Sequence, residues 1–461
     1  MTSFIPRLRT VLGVVVALSM LTVAQLRAEP IESDPLGTPV PKVDEKVKEV
    51  TDAAELFKKL DFNGALKLLK EAAKKNADLP PAQVILAQWF AQAQQAAGVR
   101  ASLEQAIVEE PDDPTAYLIL GDTALRERRV IEAQLLLEKA NSLMANFTKS
   151  PERKKLMEPR VAAGLAAVAE SREDWAGAQK QIETWLKAEP KSADALQRMG
   201  RTLFKQGKAE EAWAQLKAAG VADPKIFTPS ATLSLLYEQA GDHDNAKKWM
   251  EFALKSAPKD LRTQLVAAQW SLETGQPDQA KDQATAALQI DPKSLDAKVL
   301  RGVVALFQKD WKNAEMYFES ALMQSPNNFA AKNNLALALC EQSDDAKKQL
   351  AYEHAVANYK LYPKNAEALS TYGWVLYKAG NVKEAYEALR QAAAGGISAD
   401  TGYYIAQVAA DLAKLAADGG QADAAKQLKE QAKKLLDSAL QSKRPFSKRQ
   451  EADALLKQLG T

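Results

Sequence analysis

Five prolines, Pro190, Pro224, Pro258, Pro292 and Pro326, stand at one constant step of 34 positions, in KAEPKSADAL, VADPKIF, KSAPKDL, QIDPKSL and MQSPNNF. Proline lacks a backbone N–H and cannot continue a helix. A proline at a fixed period therefore punctuates one supersecondary unit repeated along the chain. Such a unit cannot bury its apolar face alone, so its copies must stack.

Counting each unit from the third residue after its proline brings the rest into phase. Positions 8, 20, 24, 27 and 32 are a small residue, alanine, a larger apolar residue in most units, alanine and proline. From Ala193 they are Gly200, Ala212, Leu216, Ala219 and Pro224. From Phe227 they are Ser234, Ala246, Met250, Ala253 and Pro258. From Leu261 they are Ala268, Ala280, Ala284, Ala287 and Pro292, and from Leu295 they are Gly302, Ala314, Phe318, Ala321 and Pro326. Small residues at 8 and 20 let two antiparallel helices approach, and position 24 fills the seam between them. Position 15 carries Gly207, Gly241, Gly275 and Gly380, which predicts a left-handed cap on the first helix.

This pattern resembles the tetratricopeptide repeat family in period and small-residue signature. The stretch LSTYGWVLYKAGNVKEAYEALRQA matches best, with Gly373, Gly380, Ala385, Leu389 and Ala392 in register. The family's tryptophan at position 4 is largely missing, while Phe62, Trp175 and Trp311 supply an aromatic at position 17. The resemblance implies an all-α solenoid, a right-handed superhelix of helical hairpins. Its phase gives about ten units: 46–79, 80–113, 114–158 with an insertion of about eleven residues, 159–192, 193–226, 227–260, 261–294, 295–328, 329–365 and 366–399. The insertion is expected to lengthen a second helix, and 329–365 is stretched by three residues. Residues 400–461 read as a degenerate pair and a capping helix, and no domain boundary is expected inside 46–461.

The 461-residue chain is 46% hydrophobic and 26% charged, a globular composition, and alanine favours helix. Residues 1–28 read as a secretory signal: basic Arg7 and Arg9, apolar Val11 to Ala24, and cleavage after Ala28 or Ala24. An uncleaved anchor is the alternative. Residues 29–45 form a proline-rich linker. The expected location is a bacterial periplasm or the exterior. With no cysteine near the cleavage region, no lipid anchor is expected. Arg7, Arg9 and Arg27 account for three of the positive charges, so the formal +2 becomes +2 − 3 = −1 without the signal. That near-neutral body argues against nucleic acid as a partner.

Catalytic chemistry needs convergent acids, bases, nucleophiles or metal ligands. Two histidines far apart in sequence, His243 and His354, and one cysteine, Cys340, do not supply them. No zinc spacing, phosphate loop or nucleophile elbow occurs, so no enzyme activity, metal or cofactor is expected. The acid runs at Glu109–Asp113 and Ser343–Asp345 read as helix caps.

What remains is surface for a protein or peptide partner. The resemblance implies that first helices line a concave groove through positions 2, 5, 6, 9, 12 and 13. Those positions give a basic stripe of Arg198, Arg201 and Lys205. They also give an apolar stretch of Leu265, Val266, Leu272, Val299, Leu300, Val303, Leu306 and Phe307. Trp374 and Tyr377 follow, with Tyr403 and Tyr404 in the next helix. Each set has two readings: a balanced face or a binding stripe, curvature-buried packing or an apolar groove, repeat packing or aromatic anchors. Asn334 stands at position 6, but Val299, Val303, Glu367 and Thr371 leave the family's carboxylate clamp absent. The resulting expectation is a non-catalytic envelope or secreted scaffold. A subunit of an envelope assembly or polysaccharide-export machine, a hydrolase and a passive spacer are the alternatives.

Overall fold

The computed structural model describes residues 47–460 apart from 395 and 443. Residues 1–28 and 29–45, expected to be a signal and a linker, lie outside the described residues. The described residues form twenty-three helices and no strand. They fall into two compact units, 47–249 and 250–460, whose boundary lies inside one helix, α12.

The first unit holds five antiparallel hairpins and the start of a sixth. They are α1 (Lys48–Lys58) with α2 (Phe62–Lys75), α3 (Ala82–Gln92) with α4 (Ala96–Glu109), and α5 (Pro114–Arg126) with α6 (Val130–Met144). Next come α7 (Pro151–Ser171) with α8 (Trp175–Ala188), α9 (Ala193–Lys205) with α10 (Ala209–Ala222), and α11 (Pro229–Gln239) leading into α12 (His243–Ser256). The second unit continues with α13 (Leu261–Glu273) and α14 (Pro277–Ile290), α15 (Leu295–Phe307) and α16 (Trp311–Gln324), and α17 (Phe329–Cys340) and α18 (Asp345–Leu361). It ends with α19 (Ala366–Lys378) and α20 (Val382–Ala393), α21 (Ala399–Asp418) and α22 (Ala422–Leu440), and the single helix α23 (Arg449–Gly460). The first helix of each hairpin is called A below, and the second B.

The helix ends follow from the punctuation. A residue before proline is pushed out of the α region. Accordingly Glu189, Asp223 and Asp291, each just before a proline, leave the helix with φ/ψ of −129/77, −136/103 and −136/95°. Side-chain caps restart many helices: Ser192 accepts from the Ala195 amide, Ser294 from Ala297 and Asn328 from Ala331. Asp113 and Asp344, from the two acid runs, cap α5 and α18.

Inside the hairpins, positions 20, 24 and 27 of the four units from Ala193 to Leu295 are buried throughout. The seam is equally tight at Gly302 and Gly373, where a Cβ would lie 2.6 Å from Cε1 of Phe318 and from Cγ of Leu389. Position 8 is therefore small because position 24 is driven against it.

Position 15 is left-handed well beyond its glycines. Leu60, Gln94, Arg128, Glu173 and Lys309 hold φ of 58 to 64°, beside Gly207, Gly241, Gly275 and Gly380 at 77 to 89°. The steps between these residues are 34, except for 45 between Arg128 and Glu173 and 71 between Lys309 and Gly380. An L side chain in this region costs about 1 kcal/mol. Gly207→Ala is thus expected to lower the stability of the 47–249 unit by about 1 kcal/mol and Arg128→Gly to raise it by up to that amount, both read from that unit's own denaturant transition at constant m.

The insertion does not lengthen a second helix. α6 closes at Met144 after 15 residues, whereas the next A helix, α7, starts at Pro151 and runs for 21. The extra residues make the loop before α7 and its first two turns, because Ser150 caps a new helix start by accepting from the Arg153 amide. Arg153 then anchors those turns. Its guanidinium is buried and donates to both oxygens of Asp113 at 2.7 and 2.8 Å, and Phe147 lies 5.0 Å from it.

Candidate functional site

In the first unit the A-helix faces carry paired charges. Arg160 donates to Asp122 at 2.7 Å, with both side chains partly buried. Burial pushes the Asp122 carboxyl up, against the pull of Arg160. The expected basic stripe is only partly a surface. Arg198 is buried and donates through Nε and Nη2 to the two oxygens of Glu170, at 3.1 and 2.9 Å, and through Nη1 to the Ala163 carbonyl. Its planar fork is matched to one carboxylate, which is why the side chain turns inward. Arg201 is half-buried, and Lys205 is exposed.

In the second unit most of the expected groove residues are buried, which corrects their reading as an open surface. Leu265, Val299, Leu300, Val303 and Trp374 belong to one core cluster with Leu272, Leu306, Tyr403 and Tyr404. Val266 is buried too. Neighbouring A helices cover part of this set. Asn334 is fully buried, its amide donating to the Ala330 carbonyl at 3.0 Å. Phe307 is half-buried. Tyr377 is half-buried and donates to Asp411 at 2.6 Å. Tyr404 stacks on Trp374 with ring centroids 4.2 Å apart.

The remaining cover is the chain's own C-terminal segment. Phe446 is buried in the same cluster, and Pro445 sits close enough to Gly275 that a Cβ there would lie 3.3 Å from its Cγ. Ser447 donates to Asp400 at 2.8 Å. Lys448, 7% exposed, reaches Glu341 at 2.8 Å and lies 5.3 and 5.9 Å from the rings of Trp311 and Trp374. A cation against two indole faces and a carboxylate is held by both quadrupole and charge. Glu341 also accepts from Trp374 Nε1 and Lys378 Nζ, both at 3.0 Å. Burial alone would push its carboxyl up; Lys448 and Lys378 outweigh that and hold it below the usual range. Between the segment and Val303, Leu306 and Phe307 remains a cavity of ≈ 30 Å³, room for about one water.

The sequence reading missed Glu341, Trp311, Asp400 and Lys448 as one cluster. Glu341 does occupy position 13 of its unit, a position expected to face the groove. Nothing in the repeat phase brings residues 445–448 to it.

Of the two buried cations among the described residues of this unit, Arg301 and Lys448, the first has no carboxylate partner. Arg301 is 5% exposed and lies 5.0 Å from the Tyr317 ring, and its Nε and Nη1 meet no acceptor among the described residues. An unsatisfied buried donor costs about 1–3 kcal/mol. Arg301→Met is accordingly expected to raise the denaturation midpoint, and a lowered midpoint would show that the guanidinium is a net stabiliser.

Among the described residues no group of His, Cys, Asp and Glu could hold a metal ion. No described helix is long and apolar enough to cross a membrane. His243 sits at the start of α12, 2.8 Å from Glu238, and His354 is half-buried in α18. Burial pushes the Cys340 thiol up, as for a small core residue.

Stacked helical hairpins with a small-residue seam and a left-handed turn in all but one of the ten units define an all-α repeat solenoid. Two tetratricopeptide repeat models match, at residues 231–260 and 265–329. Those residues are tetratricopeptide repeats, and the helical hairpins on either side share their all-α repeat architecture. No curated protein matches it. Among solved structures it is similar to yeast Tom70, at 13% identity and TM-score 0.37, covering 89% of this chain and 95% of that one. A tetratricopeptide repeat protein from Parabacteroides merdae gives 14%, 0.37, 66% and 100% on the same measures. PilW, described as a type IV pilus biogenesis factor, gives 20%, 0.39, 51% and 99%. At TM-scores below 0.5 these likenesses decide nothing more about this chain. Tetratricopeptide repeats in general serve as protein-interaction scaffolds.

Proposed function

We propose that this protein is a non-catalytic scaffold, exported to the cell envelope or beyond, that holds a segment of a partner protein along its A-helix faces. One observation carries the reading. On the A-helix face of residues 250–460, Pro445–Lys448 is seated by an ion pair, a hydrogen bond and two indole rings. A face that seats polypeptide by such groups has the chemistry of a peptide site, with Trp among the favoured anchors. The location rests on the signal-like pattern of residues 1–28, with basic Arg7 and Arg9 ahead of the apolar Val11 to Ala24.

Crosslinking of the mature protein in its own envelope, followed by mass spectrometry, tests both halves. Partner crosslinks are expected at A-helix positions, with Lys205 a reachable amine on the first unit, and Arg201→Glu is expected to weaken them several-fold. Leu300→Asp is not a usable probe of the face, since Leu300 is 1% exposed and its substitution would disrupt the core. Partners captured equally by wild type and Arg201→Glu, with crosslinks confined to B helices, would sink the groove reading. A protein recovered only from the cytoplasm would sink the location.

A further inference from the structure

We propose that the C-terminal segment, residues 444–460, is a resident ligand that yields its place to a partner segment of the same chemistry: an aromatic residue, a small residue, then Lys or Arg. This rests on the reading that A-helix faces bind protein segments, and it names what the face of the second unit recognises.

The cation-binding half of the site is built independently of its occupant. Glu341 keeps Lys378 and the Trp374 N–H as partners when Lys448 is removed, so its carboxylate stays oriented. Trp374 keeps its ring contacts with Tyr377 at 5.1 Å and Tyr404 at 4.2 Å. Asp400 is satisfied by the occupant, through the Ser447 hydroxyl at 2.8 Å and the backbone of Ser447 and Lys448. An empty face would therefore be an aromatic box with two acids at fixed positions, preorganised for a cation and a hydroxyl.

Within the occupant, residues 445–448 supply specificity more than strength, while α23 adds the buried Ala452 and Leu455 and a Lys309–Glu451 pair at 2.8 Å. Residues 445–448 contribute one buried ring, one hydrogen bond and one nearly buried ion pair. Desolvation cancels much of the attraction in such a pair, while a missing or misplaced charge is strongly penalised. The stretch thus selects its own sequence without binding it irreversibly. α22 tethers the stretch beside the face, giving an effective concentration of about millimolar. An incoming segment must outcompete that concentration, which gives the face a threshold.

The test uses a fluorescein-labelled peptide of residues 442–460 and the full chain, read by fluorescence anisotropy. Lys448→Met releases the resident cation and is expected to bind the peptide at least tenfold more tightly than wild type. Adding Glu341→Gln to Lys448→Met is expected to remove that gain, and a peptide with methionine in place of its Lys448 is expected to lose it as well. Hydrogen exchange on wild type needs no variant to fold: saturating peptide is expected to deprotect residues 444–460. Equal affinity of wild type and Lys448→Met, or unchanged protection at saturation, overturns the proposal and makes the segment a permanent cap. A wild-type dimer that dissociates as peptide binds overturns the partner and assigns the face to a second copy. If the peptide fails but partner crosslinks map to the A helices of residues 47–249, this inference falls and the proposed function stands.

Discussion

Arg153→Ala is expected to destabilise the 47–249 unit by about 3–5 kcal/mol, the cost of leaving a buried charge without its partner. Arg153 and Asp113 are 2% exposed each, and the guanidinium also donates to Thr115 and, at 3.4 Å, to the Leu79 carbonyl. Three segments far apart in sequence meet on this one side chain: the turn after α2, the start of α5 and the start of α7. Removing it strands the Asp113 carboxylate in the interior. Asp113→Ala/Arg153→Ala is expected to cost less than the sum of the two singles, because the second change removes the charge that the first leaves unpaired. Hydrogen exchange localises the effect, with residues 76–171 losing protection first and residues 261–440 unchanged. A loss below about 1 kcal/mol would mean that the pair is solvated and that α7 is held by its apolar contacts alone.

Phe318→Ala is expected to cost the second unit about 3–5 kcal/mol, since the ring is fully buried and its loss leaves a cavity that helices cannot close. The ring fills the seam of α15 and α16 against the bare backbone of Gly302. Gly302→Val is expected to cost about 1–3 kcal/mol by overpacking the same place from the other side. The two changes share one volume, so Phe318→Leu in the Gly302→Val background is expected to recover part of the loss. Additive losses would show that positions 8 and 24 do not meet in solution as they do in the structure. Both measurements require the two units to be followed separately, because one midpoint for a chain of two units is not a single equilibrium.

Much of the fold was legible because its determinants are local or one repeat apart. Proline and the residue before it end a helix through their own sterics. Gly207 and Gly380 mark a left-handed residue, and the phase alone places Arg128, Glu173 and Lys309 at the same point. The alanines at 20 and 27 are legible because a helix pair repeats its contacts once in every unit. The insertion was misplaced for a matching reason: its extra residues change the phase without saying which helix absorbs them. The cap at Ser150 and the buried Arg153–Asp113 pair decide that, and the partners in the pair are 40 positions apart.

The candidate face divides in the same way. Phase identified A-helix positions that turn inward, including Leu265, Val303, Asn334 and Trp374, but inward can mean an open groove or a covered one. Arg198 looked like part of a stripe until Glu170 and the Ala163 carbonyl, both on the preceding A helix, were seen to take its guanidinium. Lys448 and Glu341 are separated by 107 positions and share no repeat relation.

The sequence by itself determined the helical hairpin, its period, its turns and its seam, because each depends on backbone sterics or on neighbours within about one repeat. Only the tertiary structure decided which inward positions are covered and by what. That depends on how the hairpins of residues 250–460 stack, since the stacking sets whether a tethered segment with a ring, a hydroxyl and a cation can reach the face. The Lys448–Glu341 pair is the point at which the stacking closes that face with the chain's own end.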